Sequence, residues 1–366
     1  MSMKFASLAG VFVAVVVSLL TACGGHSSPS TNNMYVATQA SAQVWGYLAN
    51  FNNGSLSTMS GSPYAAQPAA TAIVLDPAKT FAYVAESAPT NQIDRFSIGS
   101  NGALTAVSGG VPAGNNPVAL AIDPGGKFLF VANQLSNSIS VFSIGSNAGL
   151  TAVPGSPFPA SDPVAVAVPS SGNFLYVADQ LNGAVDIFTF DSAGKLTALG
   201  LPIPLASGTA PSAIAINPAG TLLYVTNAQT NNVSGFTIAK GAPDIPGDLI
   251  PVAGSPFPAG GFKPVSAAID PSGQYLYVVD QDSNQISGFR IAATTGKLSA
   301  TLNSPYNTGA LPAFVAISPS NKYLYVSNAG AGSLSGYGIN PASGELAPTS
   351  ATVNTGSSPA WIAFGK

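Results

Sequence analysis

Charged side chains are what this chain has least of. They make up 7% of its 366 residues, where a typical soluble domain carries about 25%. Helices cover their wet faces with Lys, Glu and Arg, so the shortage argues against a helical protein. Short strands joined by many turns fit the 39 glycines and 30 prolines better. One cysteine excludes a disulfide within the chain. A single histidine, His26, and two arginines, Arg95 and Arg290, leave little material for metal clusters or phosphate clamps. No G-x-S-x-G elbow, H-E-x-x-H helix or phosphate loop occurs.

The first 22 residues form a separate object. Lys4 precedes an apolar run from Phe5 to Leu20, shorter than the roughly 20 residues that span a bilayer as a helix. Leu20-Thr21-Ala22-Cys23 follows, and this string resembles the lipobox of bacterial lipoproteins. The resemblance implies that residues 1–22 are a signal peptide and Cys23 the lipidated first residue of an exported, membrane-anchored protein, periplasmic or on the cell surface. Residues 23–33 then read as a tether. Without Lys4, ten basic groups face fourteen acidic ones, a field too weak to attract nucleic acid or anionic lipid. The membrane contact expected is the acyl chains alone, and the protein is expected to be a monomer.

Self-similarity dominates the rest. An aromatic residue before a valine recurs at Tyr35, Tyr83, Phe130, Tyr176, Tyr224, Tyr277 and Tyr325, at intervals of 48, 47, 46, 48, 53 and 48. The longest interval holds the Pro/Gly-rich insert 240–247. Each period reads as four strands. In the third copy, strand A is Pro117 to Ile122, and Asp123-Pro124-Gly125-Gly126 makes a turn. Strand B is Lys127 to Ala132, strand C Ile139 to Ile144 and strand D Gly149 to Val153. Four strands per 40 to 50 residues is the blade of a β-propeller.

The chain enters at a strand B, Met34 to Ala37, and leaves at a strand A, Ser358 to Phe364. The fragments complete one blade. Residues 34–366 are therefore expected to form an all-β, seven-bladed propeller of four-stranded antiparallel blades, closed by the last strand beside the first. Trp45 and Trp361 both fall in this composite blade, either as closure packing or as an aromatic ligand platform. The phrase Tyr224-Val225-Thr226-Asn227 resembles the YVTN-repeat propellers. The seven-repeat layout is similar to the lactonase-type propellers, which include 6-phosphogluconolactonase-like enzymes. The resemblance covers residues 34–366 and implies lactone hydrolysis, with basic and acidic side chains at the channel mouth.

This chain departs from that pattern. His26 lies in the tether, and Arg95 and Arg290 fall in strands C, where a guanidinium would find a nearby carbonyl or carboxylate. No catalytic residue transfers. In a propeller the B-to-C and D-to-A loops share one face, and the fourth letters of the phrases lead there: Thr38, Glu86, Asn133, Asp179, Asn227, Asp280 and Asn328. With Asp162, Asp282 and the lone cation Lys263 they outline a candidate acidic binding face, suited to a sugar, a cation or a basic peptide. Lys79, Lys127 and Lys322 fall on the opposite face. Singly, each Asn or Asp reads as a strand-end cap. Asp280-Gln281-Asp282-Ser283-Asn284 begins like a calcium loop, but Ile291 stands where the closing Glu is needed. The G-S-P-aromatic phrases at Tyr64, Phe158 and Phe257 and the shorter Ser304-Pro305-Tyr306 suggest either a sticky surface or plugs between blades. The expected function is an anchored binding or scaffold module. The alternatives are a lactone hydrolase and a structural envelope component.

Overall fold

The computed structural model describes residues 31–366 apart from Ser207. Cys23, His26 and the signal peptide lie outside the described residues. Seven separate antiparallel sheets form the fold, and among the described residues the regular structure is strand except for a 3-10 turn at Ser146–Ala148. Blades 2 to 7 each run A-B-C-D from inside outward. Blade 3 shows the pattern: A at Pro117–Ile122, B at Phe128–Asn133, C at Ser138–Ile144 and D at Leu150–Ala152. In blades 1 and 3 to 6 a further two-residue strand pairs with the start of strand C. In blades 1, 3 and 5 it is made by the G-S-P-aromatic phrase, as at Phe158–Pro159, in blade 6 by Ser304-Pro305-Tyr306, and in blade 4 by Ile203–Pro204.

Blade 1 is assembled from both chain ends. Strand B, Thr31–Thr38, pairs on one side with strand C, Gln43–Asn50, and on the other with the final strand A, Pro359–Phe364. Met34 faces Phe364 and Val36 faces Ile362. Lys79 of blade 2 reinforces the closure by donating to the carbonyls of Phe364 (2.8 Å) and Gly365 (3.1 Å). Each strand A touches the strand A of both neighbouring blades, so the ring is continuous.

The recurring tyrosine explains itself. All seven aromatics of the phrase are fully buried. Five tyrosines reach across to the next blade and donate to the carbonyl of the glycine in its C-to-D turn: Tyr35 to Gly102 (2.6 Å), Tyr176 to Gly247 (2.8 Å), Tyr224 to Gly296 (2.7 Å), Tyr277 to Gly344 (2.8 Å) and Tyr325 to Gly54 (3.0 Å). A buried ring with a satisfied hydroxyl gives both apolar packing and a directional tie. The exceptions have local causes. Phe130 has no hydroxyl, and the Tyr83 hydroxyl has no partner because the turn of blade 3 is the 3-10 segment rather than a single-glycine turn. Gly54 shows why the turn residue is glycine. Its φ is +73°, and a Cβ there would stand 2.6 Å from the Tyr323 ring.

The D-P-x-G turns also form as expected. Asp123 accepts the backbone N–H groups of Lys127 (2.7 Å) and Phe128 (2.6 Å), and Asp270 does the same for Gln274 and Tyr275. The phrase aromatics Tyr64, Phe158 and Phe257 are buried, and Phe158 packs among Leu175, Val177 and Phe188 of the next blade. They are plugs at the seams between blades.

Candidate functional site

The residue immediately before each strand A builds the channel mouth. Ala69, Asn116, Asp162, Ala210, Lys263, Leu311 and Ser358 all adopt positive φ, between +37° and +65°. Each carbonyl accepts the N–H of the fifth residue of a tyrosine phrase, as from Gln281 to Lys263 (2.9 Å) and from Gln39 to Ser358 (3.0 Å). Four are also held by an asparagine side chain from the preceding blade, including Asn231 Oδ1 on the Lys263 N–H at 2.8 Å. Of these seven, sequence reading singled out Asp162 and Lys263. The signal for the set was present, since six of the seven precede a proline in an otherwise identical register, Ala69 being the exception.

Below the mouth lies a cavity of about 300 Å³ walled by strands A of all seven blades, with Gln39 and Ala329 at its rim. Its wall is mainly valine, alanine and isoleucine, with Thr71, Ser212 and Ser266 as hydroxyls. Those hydroxyls stitch neighbouring blades: Thr71 donates to Pro117 O (2.7 Å), Ser212 donates to Pro264 O (2.6 Å), and Ser266 accepts from Val315 N (3.2 Å). Trp361 forms part of the wall and stacks on Phe314 at 4.3 Å, while Trp45 stacks on Tyr47. The cavity has no charged lining residue, so it can hold a ring but cannot itself exchange protons.

The sequence-derived candidates separate by depth. Glu86, Asn133, Asp179, Asn227, Asp280 and Asn328 are at most 1% exposed. They turn into the blade instead of lining the mouth, and the register places each diagonally from a strand C residue: a serine in blades 3, 5, 6 and 7, an aspartate in blades 2 and 4. Asn133 donates to Ser140, Asn227 to Ser234 and Asn328 to Ser335, each at 2.9 Å. Asp280 accepts from Ser287 at 2.5 Å, and Asp179 accepts the N–H and side-chain amide of Asn182. Burial pushes Asp280 up to about 7, opposed by the Ser287 hydrogen bond. Asp186 of blade 4 rises to about 6 through burial and its neighbour Asp179; it lines a seam cavity of about 240 Å³ with Asp179, Asn182 and Leu201. Glu86 rises to about 9, from burial first and the Asp94 carboxylate second, against the Gln67 backbone.

Lys263 and Asp282 do reach the surface. Their charged ends lie 3.7 Å apart, in a basin of about 500 Å³ shared with Ala228, Gln229, Asn231 and Phe262. Phe262 is 65% exposed and gives the basin an apolar wall. The loop carrying Lys263 is held from below by a relay in which Gly260 N–H donates to Ser287 Oγ (2.9 Å) and that hydroxyl donates to Asp280. Asp282 and Asp280, read together as the opening of a calcium-like loop, thus stand at different depths: one exposed beside Lys263, the other buried under the loop. Arg95 is held by the carbonyls of Ser108 (2.8 Å) and Gly109 (2.6 Å), and Arg290 is exposed on strand C.

Residues 26–168, 150–244 and 170–311 match the family model described as Lactonase, 7-bladed beta-propeller. The chain belongs to that family. No curated protein matches it. Among solved structures, a Bacteroides uniformis protein assigned the name 6-phosphogluconolactonase superposes with a TM-score of 0.82 at 18% identity, over 92% of this chain and 99% of its own. The periplasmic gluconolactonase PpgL of Pseudomonas aeruginosa gives 0.79 at 20%, over 92% and 99%. A protein from Lactobacillus plantarum gives 0.77 at 16%, over 92% and 100%. At these identities the superpositions establish the shared fold.

Proposed function

We propose that the protein is an exported lactone hydrolase acting on a small sugar-derived lactone at the channel mouth. Family membership supports this reading over the binding-module expectation, and the names borne by the structural neighbours support the substrate class. The observation that carries it here is the Lys263–Asp282 pair at 3.7 Å in an open basin with an aromatic wall. Lactone opening needs a group that takes a proton from water and a positive group for the developing oxyanion. Water attacks the carbonyl carbon while Asp282 accepts its proton. Lys263 faces the oxyanion, the ring C–O bond breaks, and the proton passes to the leaving alkoxide to give the hydroxy acid. Phe262 offers a surface for the ring, and Gln229 an amide for its hydroxyls. Export through a lipidated Cys23 is part of the same proposal.

The test is proton release from gluconolactones by the full-length protein. Lys263→Met and Asp282→Asn should each lower kcat/KM at least 10-fold, with the melting temperature little changed because both side chains are surface-exposed. Turnover unaffected by either substitution would move the chemistry elsewhere. Saturable sugar binding without turnover would restore the binding-module reading.

A further inference from the structure

One position of strand A, three residues beyond each positive-φ junction, differs sharply around the ring. It is alanine in blades 2 to 5, Ser266 in blade 6, Phe314 in blade 7 and Trp361 in the composite blade 1. The two aromatics are therefore neighbours, and their rings stack with centroids 4.3 Å apart and planes at 28°. From there the indole reaches across the channel and packs on the hydrophobic clusters at the seams of blades 1 and 2, 2 and 3, and 3 and 4. Trp361 lines the mouth-side cavity and also a second cavity of about 460 Å³, which opens among the A-to-B turns of the far face. It stands across the channel as the floor of the mouth-side cavity.

Packing of the closure would be served by burying both rings, yet Trp361 and Phe314 stay half-buried. Across the ring, Ala165 and Ala213 line the same cavity with their small side chains. A flat aromatic surface facing alanines leaves a slot for another ring. The polar groups of the wall are largely committed. Thr71 and Ser212 donate to the Pro117 and Pro264 carbonyls, whereas Ser266 accepts from Val315 N and keeps its own O–H to give. A sugar ring, with hydroxyls on every side, would exchange its water for one donor, and a phosphate would enter without a cation, both at a cost. An uncharged aromatic ring with a single acceptor fits what is there. Lys263 leads through Pro264 to Val265 and Ser266 on the wall, and the step from Lys263 to Val265 is roughly 7 Å along the strand. A substituent about one ring long spans from the basin to the slot.

We propose that the channel above Trp361 is an aryl-binding subsite, in which a flat, uncharged aromatic group stacks on the indole and offers Ser266 an acceptor. Resting on the hydrolase reading, this names the preferred substrate as a lactone that carries an aryl substituent and no phosphate. Trp361 is the specificity-determining residue, and the alanines of blades 4 and 5 set the width of the slot. The binding itself does not depend on turnover at Lys263.

Phenyl glucoside, which a lactone hydrolase cannot consume, is the probe, with glucose and glucose 6-phosphate beside it. In the full-length Trp45→Phe protein Trp361 is the sole tryptophan, so its fluorescence reports on the slot. Phenyl glucoside should change that signal saturably and bind at least 10-fold more tightly than glucose, and glucose 6-phosphate should leave it unchanged. By calorimetry, Trp361→Leu and Ala213→Phe should each weaken phenyl glucoside binding at least 10-fold. Ala213→Phe fills the slot from its wall, copies Phe314 and covers the case in which Trp361→Leu fails to fold. Equal affinity for glucose, or phenyl glucoside binding unchanged by Ala213→Phe, overturns the proposal. Phenyl glucoside binding by a protein that turns over no lactone upholds the slot and removes the hydrolase reading, whereas turnover of gluconolactone without phenyl glucoside binding removes the slot alone.

Discussion

Replacing Asp280 by asparagine should make the protein more stable at pH 8 and leave it unchanged at pH 4. Asp280 is fully buried with one oxygen on Ser287 and the other unpartnered. Blades 3, 5 and 7 have asparagine at the same position, donating to the equivalent serine at 2.9 Å, so Asp280→Asn installs an arrangement the fold already uses. Burial raises the folded-state value from 3.8 to about 7. The folded protein therefore holds the proton more tightly than the unfolded chain. This carboxyl's contribution is most favourable below about pH 4, falls as pH rises towards 7, and is flat above it. The difference between the two plateaus is roughly 4 kcal/mol. An asparagine does not titrate and avoids that loss, so at pH 8 the variant should gain about 2–4 kcal/mol, or some 3–6 °C in melting temperature for a chain of this length. Urea titrations and melts of both proteins at pH 4, 6 and 8 would show the gap opening with pH. A variant equally stabilised at all three, or destabilised at pH 8, would refute the argument that an ionised Asp280 is what the wild type carries at a cost.

Three further outcomes follow from the blade contacts. Tyr224→Phe deletes the tie to Gly296 and leaves a buried carbonyl without its donor, so urea unfolding should show a loss of about 1–2 kcal/mol. Tyr83→Phe removes a hydroxyl that has no partner and should be neutral or stabilising in the same assay; equal losses in both would show that the ring rather than the hydroxyl carries the effect. Truncation before Pro359 strips blade 1 of its inner strand, exposes the edge of Thr31–Thr38 and frees Lys79 from its carbonyls. The truncated chain should lose a single cooperative unfolding transition and become a rapid protease substrate, and retention of both wild-type cooperativity and resistance would mean that the ring does not depend on this closure.

The repeat made the architecture legible because a blade is specified locally. Alternating strands, a D-P-x-G turn and a buried tyrosine recur within each period of 46 to 53 residues, and the mismatch of the two ends told which strand of which blade closes the circle. The inter-blade tie was also written there, as a tyrosine in one period and a turn glycine in the next. In blade 3 the strand ends came within a residue, as at Asn133, which extends strand B beyond Ala132; the entry strand of blade 1 was read too short, since it starts at Thr31 and takes residues 31–33 out of the expected tether by pairing them with Leu48 to Asn50.

Depth was not legible, and depth decides what a polar residue can do. The fourth letter of the phrase looks the same whether it ends in solvent or against a serine seven residues later. Only pairing register shows that Asn133 and Ser140 share a face while Glu86 meets Asp94. A one-residue difference in the B-to-C loop of blade 2 hides that equivalence, since Asp94 lies eight residues after Glu86 where Asp186 lies seven after Asp179. Counting letters therefore assembles a ring of acids at the mouth, whereas the sheet takes Glu86, Asp179 and Asp280 inward and leaves Asp162, Lys263 and Asp282 nearer the surface. The residues before strand A were the better guide to the mouth, because their left-handed backbone is imposed by the chain's turn onto the channel wall. Chemistry on this scaffold belongs to such junctions, where the repeat sets the backbone and leaves the side chain free to differ from blade to blade.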